Sequence, residues 1–195
     1  GASDYIYYDG AEKELLGFVV GQNLEHRLHL QAIAAQEATV IRYAQLEKDQ
    51  RSGFRVQQAM LPKSPASIRG LSFDHHLYPS MIMSGDFIDY FELSDGRVVF
   101  YIADVSGHGA SSAFVTVLLK SMSRRLLDER SHVRTTVEIL AWFNRELLEW
   151  DMEHHVAMFL GIIDQQSQCL EYSSAAHFPG TILCHENGAG FLEIG

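Results

Sequence analysis

The sequence is poor in cysteine and has no long apolar run. Its 195 residues include two cysteines, Cys169 and Cys184, without the C-x-x-C spacing of a zinc site and too few for a disulfide framework. Two such thiols are typical of core residues in a reduced, cytoplasmic protein. No apolar stretch approaches the roughly 18 residues of a membrane span. The first ten residues lack the basic start and apolar stretch of a secretory signal, so we expect a cytoplasmic protein.

Basic residues are outnumbered by acidic ones, 15 against 25, which gives a formal net charge of −10. A charge of this sign argues against nucleic acid or an anionic membrane as the main partner. The length suits one substantial domain with an additional element.

The first 61 residues have the composition of a long helix. Residues 24–61 are rich in Leu, Ala, Gln, Glu and Arg, contain one glycine and no proline, and are followed by Pro62. One heptad frame aligns apolar residues such as Ile33 and Val40, but it also places Glu37 on the same seam. We predict a helical linker over 1–61, which could serve as a dimerisation segment. Three arrangements remain open: packing on its own domain, pairing with a second copy, or two helices broken near the glycine.

The remaining residues, 62–195, read as a separate domain of mixed structure. A proline-rich loop over 62–70 precedes a pattern of strands, then two helices, then more strands. Strands are predicted near 71–80, 86–93, 97–104, 155–164, 168–176 and 181–188, and helices near 109–129 and 135–150. This order predicts an α+β sandwich of antiparallel sheets.

A tight hairpin brings two aspartates opposite each other. If the residues at 94–96 form a three-residue loop with its glycine in the left-handed conformation, Leu93 pairs with Arg97. The same register places Asp86 directly opposite Asp104, with Cβ atoms about 4.5–5.5 Å apart. A four-residue loop would shift this register by one.

Facing carboxylates repel unless one is protonated or a cation lies between them. A hard divalent cation with oxygen ligands would resolve the conflict between Asp86 and Asp104. The alternative is that each aspartate caps a turn or is simply exposed. Asp89 has the opposite parity and should point to the other face unless a bulge turns it towards the pair, where it is a further candidate ligand.

A glycine-rich turn follows directly after Asp104 and precedes the first helix of the domain. Gly107, His108 and Gly109 would let backbone amides and the helix N-terminus approach a phosphate. The turn could equally be a tight strand-to-helix connection. Five further histidines of the domain (His75, His76, His154, His155 and His177) lack metal-ligand spacing and are expected to be exposed or hydrogen-bonded.

Several segments occur together in the order of a known family. They read QQAMLP, SGDFIDYF, ADVSGHG, ASSAF, FNREL, MFLGIID and LEYSSAAHFPG. Over residues 55–195 the chain resembles SpoIIE-type PPM (protein phosphatase 2C-like) serine/threonine phosphatases, the kind found as output modules of response regulators.

The resemblance implies an αββα sandwich with metal ions in a cleft between its sheets. Asp86 and Asp104 would bind metal and act in catalysis through a metal-activated water, and the backbone carbonyl of Val105 would be a further ligand. The cofactors would be two Mn²⁺ or Mg²⁺ ions, which suit oxygen ligands better than Zn²⁺ does. The substrate would be a phosphorylated anti-sigma-factor antagonist, and a receiver or sensor domain would precede the helix.

The sequence departs from the family pattern in three places. Ser84 and Ile88 replace a glycine and an aromatic residue, and Ala176 lies in an unusual AAHFPG segment. The sequence also stops before the later motifs that supply further metal aspartates. Either the sequence is part of a longer protein or the product is a truncated domain. Because a truncated domain would leave sheet edges unpaired, we expect the first. The alternative to a phosphatase is an inactive, phosphatase-like adaptor that binds a partner protein in a signalling pathway.

Overall fold

The computed structural model describes residues 10–79, 82–128 and 135–192, which form two compact units. One unit ends at Lys48 and the other begins at Asp49. Residues 1–9, 80–81, 129–134 and 193–195 lie outside the described part; among them are the first nine residues of the predicted helical segment, Ser80 of a predicted strand and Glu129 of a predicted helix. No helix in these ranges is both long enough and apolar enough to cross a membrane.

Helix α1 is a single helix over Gly10–Met60, so the prediction of a long helix ending before Pro62 is confirmed. The alternative of a break near Gly53 is wrong, because the helix continues through that residue. All side chains from Leu16 to Asp49 are exposed. Burial begins in the last turns of the helix.

The described residues of the second unit form three antiparallel sheets. Their strands are β1 (Ala66–Ile68), β2 (Leu71–Phe73), β3 (Asp86–Glu92), β4 (Val98–Val105), β5 (Val156–Asp164), β6 (Cys169–Ala175), β7 (Ile182–His185) and β8 (Gly188–Phe191). The central sheet has the order β3-β4-β5-β6, while β1-β2 and β7-β8 are separate hairpins. The prediction of an α+β fold with antiparallel sheets and an N-terminal helix is therefore confirmed.

Helices α2 (Ala110–Asp128) and α3 (Thr136–Glu149) contribute to the main hydrophobic core with one face of the central sheet. Phe87 and Tyr101 from the sheet and Leu119 and Phe143 from the helices are almost fully buried in it. Helix α3 begins with the predicted capping box: the Glu138 amide donates to Thr135 Oγ1, and the Thr135 amide donates to Glu138 Oε2.

Two predictions in the segment before β3 are wrong in extent. The predicted loop over 62–70 contains strand β1, and the predicted strand over 71–80 is only the three residues of β2. Arg69 and Gly70 both have positive φ and form the turn that pairs these short strands. On the far side of the central sheet from the helices, the Phe73 ring stacks on Tyr90 with ring centroids 4.7 Å apart.

Candidate metal centre

The β3–β4 hairpin has the predicted register, with Asp86 paired to Asp104. The turn is the expected one: the Leu93 amide donates to the Arg97 carbonyl over 2.8 Å, and Gly96 has φ of 89°. Both aspartates lie on the sheet face opposite the helices, because their neighbours of opposite parity are in the helix-side core. The two carboxylates therefore share one end of one face.

The electrostatics of this pair are unfavourable without a cation. Desolvation by the surrounding chain raises the pKa of Asp86, and the negative charge of Asp104 raises this pKa further. A hydrogen bond with Ser84 and the nearby His177 lower it by less. In the described ranges neither carboxylate forms an ion pair with Lys or Arg. Among the described residues, the pair is therefore without a Lys or Arg partner that would offset its charge.

The backbone around Val105 passes very close to the segment before β3. The Val105 amide donates to the Gly85 carbonyl over 3.2 Å. A Cβ on Gly85 would be 2.5 Å from the Val105 carbonyl oxygen, so a side chain at this position would require a backbone shift. Gly85 therefore fixes how closely the Val105 carbonyl, an expected ligand, approaches the start of β3.

The turn between β4 and α2 lies directly beside Asp104 and is held by the start of β5. The Ser106 amide donates to the His155 carbonyl, and the His155 amide donates to Ser106 Oγ, each over 2.8 Å. His154 Nδ1 donates to the Ser106 carbonyl, also over 2.8 Å. These bonds anchor the first residue of the turn.

The candidate phosphate-binding residues occupy this turn. Gly107 and Gly109 have φ of 89° and 84°, a left-handed conformation that explains glycine at both positions. His108 between them is exposed, and α2 begins directly after Gly109. All three residues therefore lie in the turn that connects the end of β4, which carries Asp104, to the N-terminus of α2.

Asp89 does not join the pair, which corrects its assignment as a candidate ligand. Its side chain is 1% exposed on the helix side of the sheet, as its parity predicts in the absence of a bulge. Lys120 Nζ on α2 donates to both carboxylate oxygens, over 2.8 and 2.9 Å. Both Asp89 carboxylate oxygens therefore bind Lys120 in a buried ion pair and do not face the Asp86–Asp104 pair.

His177 is a site neighbour that the sequence did not identify. It follows β6, is half-buried and lies close enough to Asp86 to lower the pKa of that carboxyl. In the part of the chain that the structure describes, its Nδ1 is buried without a hydrogen-bond partner, contrary to the expectation of an exposed or satisfied histidine. The sequence did not indicate this position, because the approach of His177 to Asp86 depends on the path of the chain after β6.

The donor set suits a hard divalent cation but is small. Two facing carboxylates and a nearby main-chain carbonyl are the oxygen ligands that Mg²⁺ and Mn²⁺ prefer. Within residues 10–79, 82–128 and 135–192, no three acidic, histidine or cysteine side chains cluster closely enough to hold a metal. The pair thus fits part of a coordination sphere, and other ligands or water would have to complete it.

Known proteins match both the sequence and the fold. The family described as Stage II sporulation protein E (SpoIIE) matches residues 94–194. The chain is 25% identical to Protein IcfG of Synechocystis over 91% of its own length and 31% of that protein. It is 28% identical to phosphoserine phosphatase RsbP of Bacillus subtilis over 56% of its length and 28% of that protein.

A solved structure has the same fold. The SiaA-PP2C domain of Pseudomonas aeruginosa superposes with a TM-score of 0.56 at 20% identity, over 68% of this chain and 55% of that one. The chain spans about a third of the length of the curated relatives that it matches. Proteins of this phosphatase class generally use Mn²⁺ or Mg²⁺. The family match covers more than half of the sequence, and the chain belongs to the SpoIIE family of PP2C-type phosphatase domains.

Proposed function

We propose that the protein hydrolyses phosphoserine or phosphothreonine on a regulatory protein with the help of divalent metal ions. The register of Asp86 against Asp104 carries the proposal, because it concentrates two carboxylates beside a turn suited to phosphate. The relative named phosphoserine phosphatase RsbP supports the same reaction class. Family membership and this geometry together favour an enzyme.

Each part of the site would have a distinct task. Asp86 and Asp104 would hold Mn²⁺ or Mg²⁺, two ions in the full site, with the Val105 carbonyl as a main-chain ligand. Such ions, when bound, activate water and neutralise charge on the phosphoryl oxygens. The amides of the turn at Gly107–Gly109 and the N-terminus of α2 would orient those oxygens.

The substrate we propose is a phosphorylated anti-sigma-factor antagonist, encountered in the cytoplasm. A receiver or sensor domain preceding α1 would supply the signal, and α1 would relay it, with pairing of two copies as one way to do so. The support is the family and the exposed apolar side chains along α1, including Ile33 and Val40.

The test is an Mn²⁺-dependent assay of the full chain on p-nitrophenyl phosphate and on a phosphoserine peptide. Asp104→Asn should lower kcat/KM about 100-fold or more, because it removes a carboxylate from the pair. Glu92→Gln is the matched control, since Glu92 is exposed at the other end of the same hairpin and pairs with Arg69. It should change the rate by less than about two-fold. Equal rates for wild type and Asp104→Asn would contradict the proposal.

An inactive adaptor is the second candidate, because no third acidic ligand clusters with Asp86 and Asp104 within the described residues. An adaptor would bind the phosphorylated partner protein without hydrolysing it. Folded wild-type protein that gives no phosphate release, yet retains the partner on a column, would favour the adaptor. Metal-dependent release that Asp104→Asn abolishes would exclude it.

A further inference from the structure

Gln57, near the end of α1, is a buried polar side chain with an unusual number of partners. It is 1% exposed, although the flanking Val56 and Gln58 are exposed. Its amide nitrogen Nε2 donates to the Ser84 carbonyl over 2.6 Å and to Thr116 Oγ1 over 2.9 Å. The amide of Ser84 donates to Gln57 Oε1 over 3.2 Å. A buried amide needs such partners; here two bonds go to Ser84 in the segment before β3 and one goes to Thr116 on α2.

The Gln57 side chain bonds the backbone of Ser84 just before β3 begins, as a neighbouring strand would. One side chain satisfies both the N–H and the C=O of Ser84, which lies two residues before Asp86. Ser84 Oγ in turn accepts the Asp86 amide over 3.0 Å. The connection from Gln57 to the backbone of Asp86 therefore consists of two consecutive hydrogen-bonded steps.

The segment that Gln57 holds has little room to move. A Cβ on Gly85 would be 2.5 Å from the Val105 carbonyl oxygen and 3.3 Å from Ser112 Cβ on α2. A Cβ on Gly53 of α1 would be 3.1 Å from Met83 Cε. Residues 83–85 therefore pack closely against the end of α1, the start of α2 and the end of β4. Close packing on these sides makes its position sensitive to a shift of α1.

The contact with Thr116 adds α2 to the same junction. Thr116 is fully buried, and its hydroxyl also donates to the Ala113 carbonyl over 2.7 Å. Gln57 thereby joins α1, α2 and the start of β3 through one amide group. A move of α1 relative to α2 would have to break at least one of these bonds.

We propose that Gln57 is a positioning residue: it fixes the start of β3 so that the Asp86 carboxylate stays opposite Asp104 in a metal-binding arrangement. Of its two measurements, only that of Mn²⁺ affinity depends on the proposed function. Residues that orient metal ligands without touching the metal typically change metal affinity by about 10–100-fold when removed. Gln57 is also where a displacement of α1 would reach the carboxylate pair.

The experiment compares Gln57→Leu with Gln58→Leu, the same change at the exposed neighbouring position. Mn²⁺ affinity is measured by titration calorimetry on the folded full chain, and amide hydrogen exchange is followed in a peptide covering residues 82–88. Gln57→Leu should weaken Mn²⁺ binding about ten-fold or more and speed exchange at Ser84 and Asp86. Gln58→Leu should change neither. Thr116→Val keeps the side-chain shape and removes the bond from Gln57 to Thr116, together with the bond from Thr116 to Ala113 within α2. It tests the proposal if Gln57→Leu does not fold, and we expect it to weaken Mn²⁺ binding about three-fold.

The two readouts separate this inference from the proposed function. If wild type binds no Mn²⁺, the proposed function fails, whereas faster exchange at Ser84 and Asp86 in Gln57→Leu still supports the positioning role. Unchanged exchange in that variant overturns the inference whether or not metal binds. The inference is also overturned if the wild type binds Mn²⁺ and a folded Gln57→Leu variant binds it with the same affinity. If Gln57 contributed only to stability, Gln57→Leu would be less stable but would bind Mn²⁺ normally when folded. That outcome would contradict the inference.

Discussion

Asp86 and Asp104 face each other across β3 and β4, so the metal-free protein must hold both negative charges at one end of the sheet. We expect Asp86→Asn to stabilise the metal-free protein at neutral pH by roughly 0.2–1 kcal/mol, because it removes a like-charge cross-strand pair. Urea unfolding in the presence of a chelator measures this change. Glu153→Gln, an exposed carboxylate that is not one of the paired positions of the β3–β4 hairpin, is the control and should leave stability within about 0.5 kcal/mol.

The raised pKa of Asp86 gives this effect a defined pH dependence. Below the ordinary value of 3.8 the carboxyl is protonated in both the folded and unfolded chain, so it contributes no difference. As pH rises above 3.8, the unfolded chain releases the proton first, and the free energy of unfolding falls until pH has passed the raised folded pKa. The advantage of Asp86→Asn over wild type should therefore grow through this window and then stay constant. An advantage that is equal at about pH 3 and about pH 7 would contradict this assignment.

Lys120 and Asp89 form an ion pair with one deeply buried partner. The Asp89 side chain is 1% exposed and that of Lys120 is 20% exposed. We expect Lys120→Met to destabilise the fold by about 3–5 kcal/mol, because it leaves a buried carboxylate uncompensated. Adding Asp89→Asn to this variant should recover part of the loss, as a double-mutant cycle in urea would show. Arg124→Met, an exposed change on the same helix, is the control. A cycle with no coupling energy would contradict the pairing.

At the scale of residues, the sequence predicts those positions that follow from one turn or one strand. The register of Asp86 and Asp104 follows from the loop between them, and the burial of Asp89 follows from parity along one strand. Its partner Lys120 is 31 residues away, and which helix residue reaches it depends on the rotation of α2 over the sheet. Gln57 is 27 residues from Ser84, so its contact with that residue likewise depends on how distant elements pack.

At the scale of elements, the long and strongly patterned ones were predictable and the short ones were not. Helix α3 carries its own start signal in Thr135 and Glu138, and α1 is followed by Pro62, which marks its end. Strands β1 and β2 contain three residues each and form around a turn with positive φ at Arg69. Composition around the prolines predicted a loop there, since three paired residues leave almost no periodic pattern.

Helix α1 offers the element-scale test of pairing with a second copy. We expect Ile33→Glu to convert a dimer to a monomer, because Ile33 is exposed on the heptad seam and a charge there would have to be buried on association. Ala35→Glu, two residues away and off the seam, is the matched control and should leave the mass unchanged. Size-exclusion chromatography with light scattering measures both. A wild type that is monomeric at all concentrations would exclude the dimer.

At the scale of the whole molecule, the order of strands and helices was enough to predict the α+β class, because each strand that packs on α2 and α3 pairs with its neighbour along the chain. The placement of the β7–β8 hairpin could not be derived in this way. It pairs only with itself among the described residues, and its side chains are exposed. Local sequence patterns predict its strands but not where the hairpin lies.

The two compact units should differ in how their stability depends on concentration. Residues 16–48 have only exposed side chains, and most helical stability in proteins comes from packing an apolar face. The central sheet, in contrast, packs on α2 and α3 around a buried core. If α1 pairs with a second copy, hydrogen-exchange protection over residues 16–48 should rise between about 1 µM and about 100 µM protein. Protection of β4 and β5 should stay constant over the same range, because their core lies within one chain. Protection of α1 that is independent of concentration would show that association does not stabilise this helix.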